Sequence, residues 1–261
     1  MRDGNQVPRD DVARMFDEIA PVYDRLNTVM TLGLDRGWHR AAVEASGVRP
    51  GAAVADIACG TGRLTAELAE RVGPFGTVIG VDLSGGMLEY AIDAYRDLVQ
   101  VEFRHGDALA LPIEDDAVDA ATIGFGLRNL DDFEGGFREL ARIVRPGGRV
   151  VCLELTLPRP RWWGRLYHAT FRRTAPFAGS VVGRTKAYRY LPESLEGFPD
   201  ADRLAATMRS AGLIDVAFRR LGLGIVAIHH GNVAVATGRS GQAGGPGASG
   251  SPASSDGAIA R

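Results

Sequence analysis

The chain has 261 residues, 45% hydrophobic and 24% charged, with a formal net charge of −2; this fits one substantial α/β domain with additions and argues against a nucleic-acid partner. Its two cysteines, Cys59 and Cys152, make neither a disulfide framework nor a metal-ligand spacing, so no metal is expected and both thiols are read as reduced. The charged N-terminus lacks the apolar core of a signal peptide and no apolar run approaches the ~20 residues of a membrane span, so a cytoplasmic protein is expected, free to touch a membrane from its inner face.

From the N-terminus, "VARMFDEIAPVYDRLNTVMTLGLDRGWHRAAVEASG" reads as helices broken near Pro21 and Gly33, and residues 1–46 are expected to form a helical lid. A strand and helix alternation follows. "AAVADIACG" is a first strand with a helix from about Arg63 to Arg71 behind it. "TVIGVDL" and "SGGMLEYAIDAYRD" are the second pair. "QVEFRHGDA" and "AVDAATIGFG" are third and fourth strands. "DDFEGGFRELARIV" carries Phe133, Phe137, Leu140, Ala141 and Val144 at helical spacing and stops at "RPGG", before a fifth strand in "RVVCLELT". Residues at about 158–191 interrupt the alternation as a helical insertion. "DADRLAATMRSAG" is a further helix, and "DVAFRRLGLGIVAIHHGNVAVATG" is an antiparallel finishing hairpin. Strands separated by helix-length connections predict an α/β fold: a doubly wound, mostly parallel, seven-stranded Rossmann-like sheet spanning 47–237. The tail, 238–261, is rich in Gly, Ser, Ala and Pro and has too little apolar surface to order itself.

Three elements point to a nucleoside-containing cofactor. "VADIACGTG" places Asp56 within the first strand and Gly60, Thr61 and Gly62 in the turn into a helix, where backbone approaches a ligand closely. "VIGVDLS" places Asp82 at the end of the second strand, where a carboxylate can take both hydroxyls of a ribose. "HGDALALP" places Asp107 and Ala108 after the third strand, suited to an adenine edge. Dinucleotide enzymes share part of this logic, but the full glycine fingerprint fails, since Thr65 stands at its third glycine. Together the elements resemble those of the class I S-adenosylmethionine-dependent methyltransferases. That resemblance implies S-adenosyl-L-methionine as cofactor, with its methionine portion at Gly60–Gly62, its ribose at Asp82 and its adenine at Asp107 and Ala108.

"YDRLNTVMTLGLDRGW" and "RIVRPGGRVVCLELT", with "GFGLRN" after the fourth strand, resemble the signatures of the UbiE/MenG/COQ5 quinone-biosynthesis C-methyltransferases, and the likeness continues through "YRYLPESLEGFP" to "GIVAIHHG". Four positions depart from that family's usual pattern. Leu26, Thr31 and Asp35 stand where Met, Ser and His are usual, and Arg63 stands where an acidic residue usually follows the glycine loop. The family's reaction is C-methylation of a polyprenylated ring, demethylmenaquinol to menaquinol or the corresponding benzoquinol step. It needs proximity, stabilisation of a ring phenolate and a route for its proton.

On that reading Arg128 and Asn129, at the mouth of the fourth strand, serve catalysis: Arg128 as a fixed cation and Asn129 as a donor to the ring oxygen. The structural alternative has Arg128 bridging to Asp131 or Asp132 and Asn129 capping the next helix. Tyr23 and Asn27, four apart on a helix, are expected in the lid over donor and acceptor, with Asp24 a solvated or capping residue. His229 and His230 are weighed as proton acceptors against a partly exposed pair in a late strand, and Cys59 is read as packing. Between Glu154 and Glu193 there are seven Arg, one Lys and no acid, interleaved with aromatics that include Trp162 and Tyr167. This stretch suits an anionic membrane surface and the prenyl chain of the substrate; a cap helix or a homodimer contact is its alternative. Competing functions are methylation of another small acceptor and a non-enzymatic scaffold of a quinone-synthesis complex.

Overall fold

The computed structural model describes residues 9–31, 33–156, 158 and 197–235. Trp162, Tyr167, the insertion beyond Pro158 and the tail at 238–261 lie outside the described residues. In chain order the elements are α1 (Arg9–Met30), α2 (Asp35–Ser46), β1 (Ala53–Ile57), α3 (Arg63–Val72), β2 (Thr77–Asp82), α4 (Gly85–Ala94) and β3 (Val101–His105). Then come β4 (Val118–Gly124), a 3-10 turn (Leu127–Asn129), α5 (Phe133–Ile143), β5 (Val144–Leu155), α6 (Ala201–Ser210), β6 (Ile214–Leu221) and β7 (Val226–Asn232).

The strands lie in the order β3-β2-β1-β4-β5-β7-β6. Pairs from β3 through β5 are parallel, and β7 runs antiparallel to both β5 and β6. The order turns around between β1 and β4, the place where a doubly wound sheet opens a crevice at its strand ends. Successive strand residues face opposite layers, as the pleat requires. Ala55, Ile57, Ala121, Ile123, Val150 and Cys152 pack with Phe137, Leu140, Leu204 and Met208 of α5 and α6. Val54, Ala120, Val151 and Leu153 pack with Trp38, Ala42, Leu64 and Leu68 of α2 and α3. Helix starts are capped where the chain offers a short polar side chain: Ser84 accepts from Met87 N, Asp132 from Gly135 N and Asp200 from Arg203 N.

Three expectations are corrected. Pro21 lies inside α1 without breaking it. Pro21 is exposed, and the helical hydrogen bond it cannot donate is the only one it removes. The "RPGG" stretch lies within β5, with a register shift between Val118 and Ala120 opposite it and Gly147 at φ +82°. The expected lid at 1–46 divides in two. α2 is a layer helix of the sheet, buried through Trp38, Ala42 and Val43. Only α1 stands apart, in contact chiefly with α4, where Ile19, Ala20 and Met87 make a small apolar cluster of their own.

Candidate functional site

A crevice of about 770 Å³, its open mouth included, lies at the carboxyl ends of the parallel strands. Ala58 and Gly60 enter it from beyond β1, Asp82, Leu83 and Ser84 from β2, and Gly106, Asp107 and Ala108 from β3. Gly124, Phe125, Gly126, Asn129 and Leu130 enter from β4 and its turn, and Val12, Phe16 and Tyr23 from α1. Ala58 and Phe125 are two of five described non-glycine residues with positive φ, at +53° and +56°. Each such backbone costs about 1 kcal/mol or more, and both residues line the crevice, where strain is commonly stored. Gly126 is needed there because a Cβ would fall 2.3 Å from the Cβ of Ala58.

Asp82 is the pivot of one wall. Gly60 N donates to its Oδ2 at 2.7 Å and Ser84 N to its Oδ1 at 2.8 Å. Burial pushes its pKa up and the backbone N–H groups of Ser84, Gly60 and Leu83 pull against that. Each oxygen keeps a lone pair for a further donor. Gly60 leaves open space where a Cβ would stand. A buried two-oxygen acceptor beside an open backbone cradle fits the diol and methionine ends of S-adenosylmethionine. Asp107 holds its own turn, accepting from Leu109 N at 2.9 Å, and with Ala108 lines the far end.

The other residues expected on the cofactor sit behind this wall. Asp56 is 1% exposed and accepts from Thr65 and Thr122 hydroxyls, both at 2.7 Å. Burial is the main cause that raises its pKa to about 6. It braces the loop from beneath and lies outside the crevice lining. Thr61 is buried and donates to Asp24 at 2.6 Å. Gly62 starts α3 with φ +82°, and a Cβ there would press on Tyr95 and Phe103 at 3.0 Å, so its role is packing. Asp24 is thus neither solvated nor a cap.

Across the crevice, Asn129 lines the wall and Arg128 lies behind it. The Arg128 Nη1 donates to Glu154 at 3.1 and 3.0 Å, with 4% and 1% of the two side chains exposed. Glu154 also accepts from Arg128 N at 3.2 Å and Leu155 N at 2.8 Å. Among the contacts described, Glu154 therefore stands where Asp131 or Asp132 was considered, and Asp132 rather than Asn129 caps α5. A guanidinium buried this deeply needs such a counter-charge. Tyr23 faces the crevice from α1 and shares a hydrogen bond with Asn27. Burial raises its pKa, opposed by the nearby Arg128 charge and that bond.

His229 and His230 are absent from the lining. His229 stacks on Phe218, its Nε2 lies 2.9 Å from the Ala201 carbonyl, and burial lowers its pKa to about 4. The departures at Asp35 and Arg63 meet each other at 2.5 Å, with Thr28 and Thr31 beside them. Burial alone would raise the Asp35 pKa; the Arg63 hydrogen bond and charge outweigh it and leave it lowered. Sequence reasoning missed Ser84, Asp17 and the α1 face of Val12 and Phe16. Ser84 carried a usable signal, a serine before "GGM" at a helix start. Asp17 carried none, since its partner Ser84 lies 67 residues away.

Comparison with known proteins agrees with this fold. Among solved structures, a SAM-dependent methyltransferase from Aquifex aeolicus has a TM-score of 0.56 at 18% identity, covering 75% of this chain and 89% of that one. The [4+2]-cyclase SpnF has a TM-score of 0.65 at 16% identity, covering 88% and 98%. Both show the fold alone. The demethylmenaquinone methyltransferase of Desulfitobacterium hafniense is 40% identical over 222 residues, 83% of this chain and 87% of that protein. That of Staphylococcus aureus is 36% identical over 228 residues, 87% and 95%. The profile of the ubiE/COQ5 methyltransferase family matches residues 4–233, and the chain belongs to that family.

Proposed function

We propose that the protein transfers a methyl group from S-adenosylmethionine to a ring carbon of a polyprenylated quinol, with demethylmenaquinol as the acceptor and menaquinol as the product. The observation that carries this reading is the crevice itself. A diol-binding carboxylate, Asp82, stands on one wall, and a neutral amide and a phenol, Asn129 and Tyr23, stand on the facing walls. Asp82 takes the ribose, the open backbone at Gly60 the methionine portion, and Asp107 with Ala108 the adenine edge. When bound, the cofactor supplies an electrophilic sulfonium methyl.

The chain's own work is on the acceptor. Asn129 donates to the ring oxygen beside the reacting carbon, so that the phenolate forming there meets a fixed dipole; one such donor contributes about 3 kcal/mol to the transition state. Tyr23, with its orientation set by Asn27, holds the ring from above and helps exclude water. Arg128 acts from behind. It is paired to Glu154, and its role is to fix the backbone of the turn that presents Asn129. The aromatic-basic stretch after Glu154 is the part we assign to an anionic lipid surface from which the prenyl chain enters; a second copy of the chain is the competing occupant.

The test incubates purified protein with trideuteromethyl-labelled S-adenosylmethionine and chemically reduced demethylmenaquinone in mixed micelles, and reads the product by mass spectrometry and ring-position NMR. Labelled menaquinol is the expected result. Tight cofactor binding without product, across naphthoquinol and benzoquinol acceptors, would overturn the acceptor assignment. Recruitment to anionic but not neutral vesicles is expected for the surface assignment, and a stable dimer that binds neither would contradict it.

A further inference from the structure

α1 carries two adjacent stripes. Phe16 and Tyr23 face the crevice. Beside them Asp17, Asp24, Thr28 and Thr31, spaced seven, four and three residues apart, share a helix face, and each meets a polar partner on another element or at the α1–α2 junction. Ser84 Oγ and Gly86 N donate to Asp17 Oδ1 at 2.5 and 2.9 Å. Thr61 Oγ1 donates to Asp24 Oδ1 at 2.6 Å. Thr28 and Thr31 meet the Asp35–Arg63 pair at the start of α3. The apolar seat beneath α1 is small, with Ile19, Ala20 and Met87 at its centre, so these polar bonds carry an unusual share of what holds the helix down.

The partners at Thr61 and Ser84 lie in the two loops that Asp82 joins. A path of hydrogen bonds runs from Asp17 to Ser84, from Ser84 N to Asp82, from Asp82 to Gly60 N, and through the adjoining Thr61 to Asp24. It begins and ends on α1 and passes through the Asp82 carboxylate in the crevice wall. Thr61 is 3% exposed, so water competes poorly for its bond.

We propose that Asp24, supported by Asp17, is a positioning residue: it closes this circuit, so that the seating of α1, with Tyr23 over the crevice, and the ordering of the cofactor loops are one event. This rests on the crevice being the cofactor site. Linkage makes the effect reciprocal: occupancy of the crevice tightens α1, and a loosened α1 weakens binding. Neither carboxylate lines the crevice, so both act through the loops they hold.

The experiment measures S-adenosylmethionine affinity by calorimetry and hydrogen exchange of the α1 amides with and without it, for wild type, Asp24→Ala, Thr61→Val, the double variant and Asp24→Asn. In the wild type the cofactor is expected to slow exchange across α1. Asp24→Ala is expected to weaken binding about tenfold and to abolish that transmitted protection, a coupling of ordinary size. Saturating cofactor should recover most of its turnover, so the loss falls on KM more than on kcat. The double variant should be no worse than the poorer single one, because both break the same bond. Asp24→Asn, which keeps an oxygen for the Thr61 hydroxyl, should recover most of the affinity and serves if the alanine variant does not fold. Exchange in α1 indifferent to cofactor in the wild type, or costs of Asp24→Ala and Thr61→Val that add, would overturn the proposal. The affinity and exchange readouts do not use the quinol, so they stand or fall separately from methyl transfer to it.

Discussion

On the wall of the crevice built from the ends of β1, β2 and β3, the polar groups that face the opening are fixed by neighbouring backbone: Gly60 N and Ser84 N hold Asp82, and Leu109 N holds Asp107. On the wall built from β4, the conspicuous charge is withdrawn. Arg128 is buried against Glu154, and the group left facing the opening is the neutral Asn129. On the proposed function, the difference follows from what each wall must do. A wall that binds a preformed, polar nucleoside can spend a carboxylate on it directly. A wall that meets a greasy ring on which charge appears only transiently is better served by a dipole held by a buried ion pair, because an exposed guanidinium would have to shed its hydration before the ring could pack on it.

The contrast can be broken most forcefully at Glu154. Glu154→Ala leaves the Arg128 charge buried without its counter-ion and is expected to cost about 3–5 kcal/mol of stability in urea unfolding. Replacing both partners, Arg128→Met with Glu154→Leu, should recover most of that loss. A single-variant cost under about 1 kcal/mol would mean that the pair behaves as a surface contact. Next comes Asp82→Ala, which removes two charge-assisted backbone bonds along with the proposed ribose acceptor; cofactor affinity is expected to fall about 100-fold or more.

The brace beneath the wall has a pH signature. The Asp56 pKa stands at about 6 in the folded protein against 3.8 for the free side chain, burial being the main cause. Protons therefore favour the folded state. Its contribution is fully present below pH ~4 and is lost as pH rises through about 6, on the order of 3 kcal/mol across that window. Asp56→Asn should flatten this part of the stability profile and stabilise the protein at pH 7; an unchanged profile would contradict the assignment. The smallest effect belongs to the Asp35–Arg63 pair. Asp35→Arg or Arg63→Asp alone should cost about 2 kcal/mol, and the double reversal should restore at least half of it, since the two positions interact with each other.

What could be read from the chain tracks how local each feature is. Strands, helices and the finishing hairpin follow from period and punctuation, and the glycine turn, Asp82 and Asp107 are each announced by a few consecutive residues. Pro21 misled because its local rule is overridden on a solvent-facing turn of a helix seated elsewhere. The partners of Arg128, Asp24 and Asp17 lie 26, 37 and 67 residues away, so nothing beside them in the sequence names Glu154, Thr61 or Ser84. The same distance hid the meaning of Asp35 and Arg63. Taken singly, each reverses the family's usual chemistry; together they are one ion pair.

The most direct test of this division of labour measures cofactor affinity and kcat side by side in Asp82→Ala and Asn129→Ala. The account predicts that Asp82→Ala loses cofactor binding, whereas Asn129→Ala binds S-adenosylmethionine as the wild type does and loses about 100-fold in kcat, the usual cost of one transition-state donor. An Asn129→Ala enzyme that methylates demethylmenaquinol at the wild-type rate, or that loses cofactor binding along with Asp82→Ala, would contradict it.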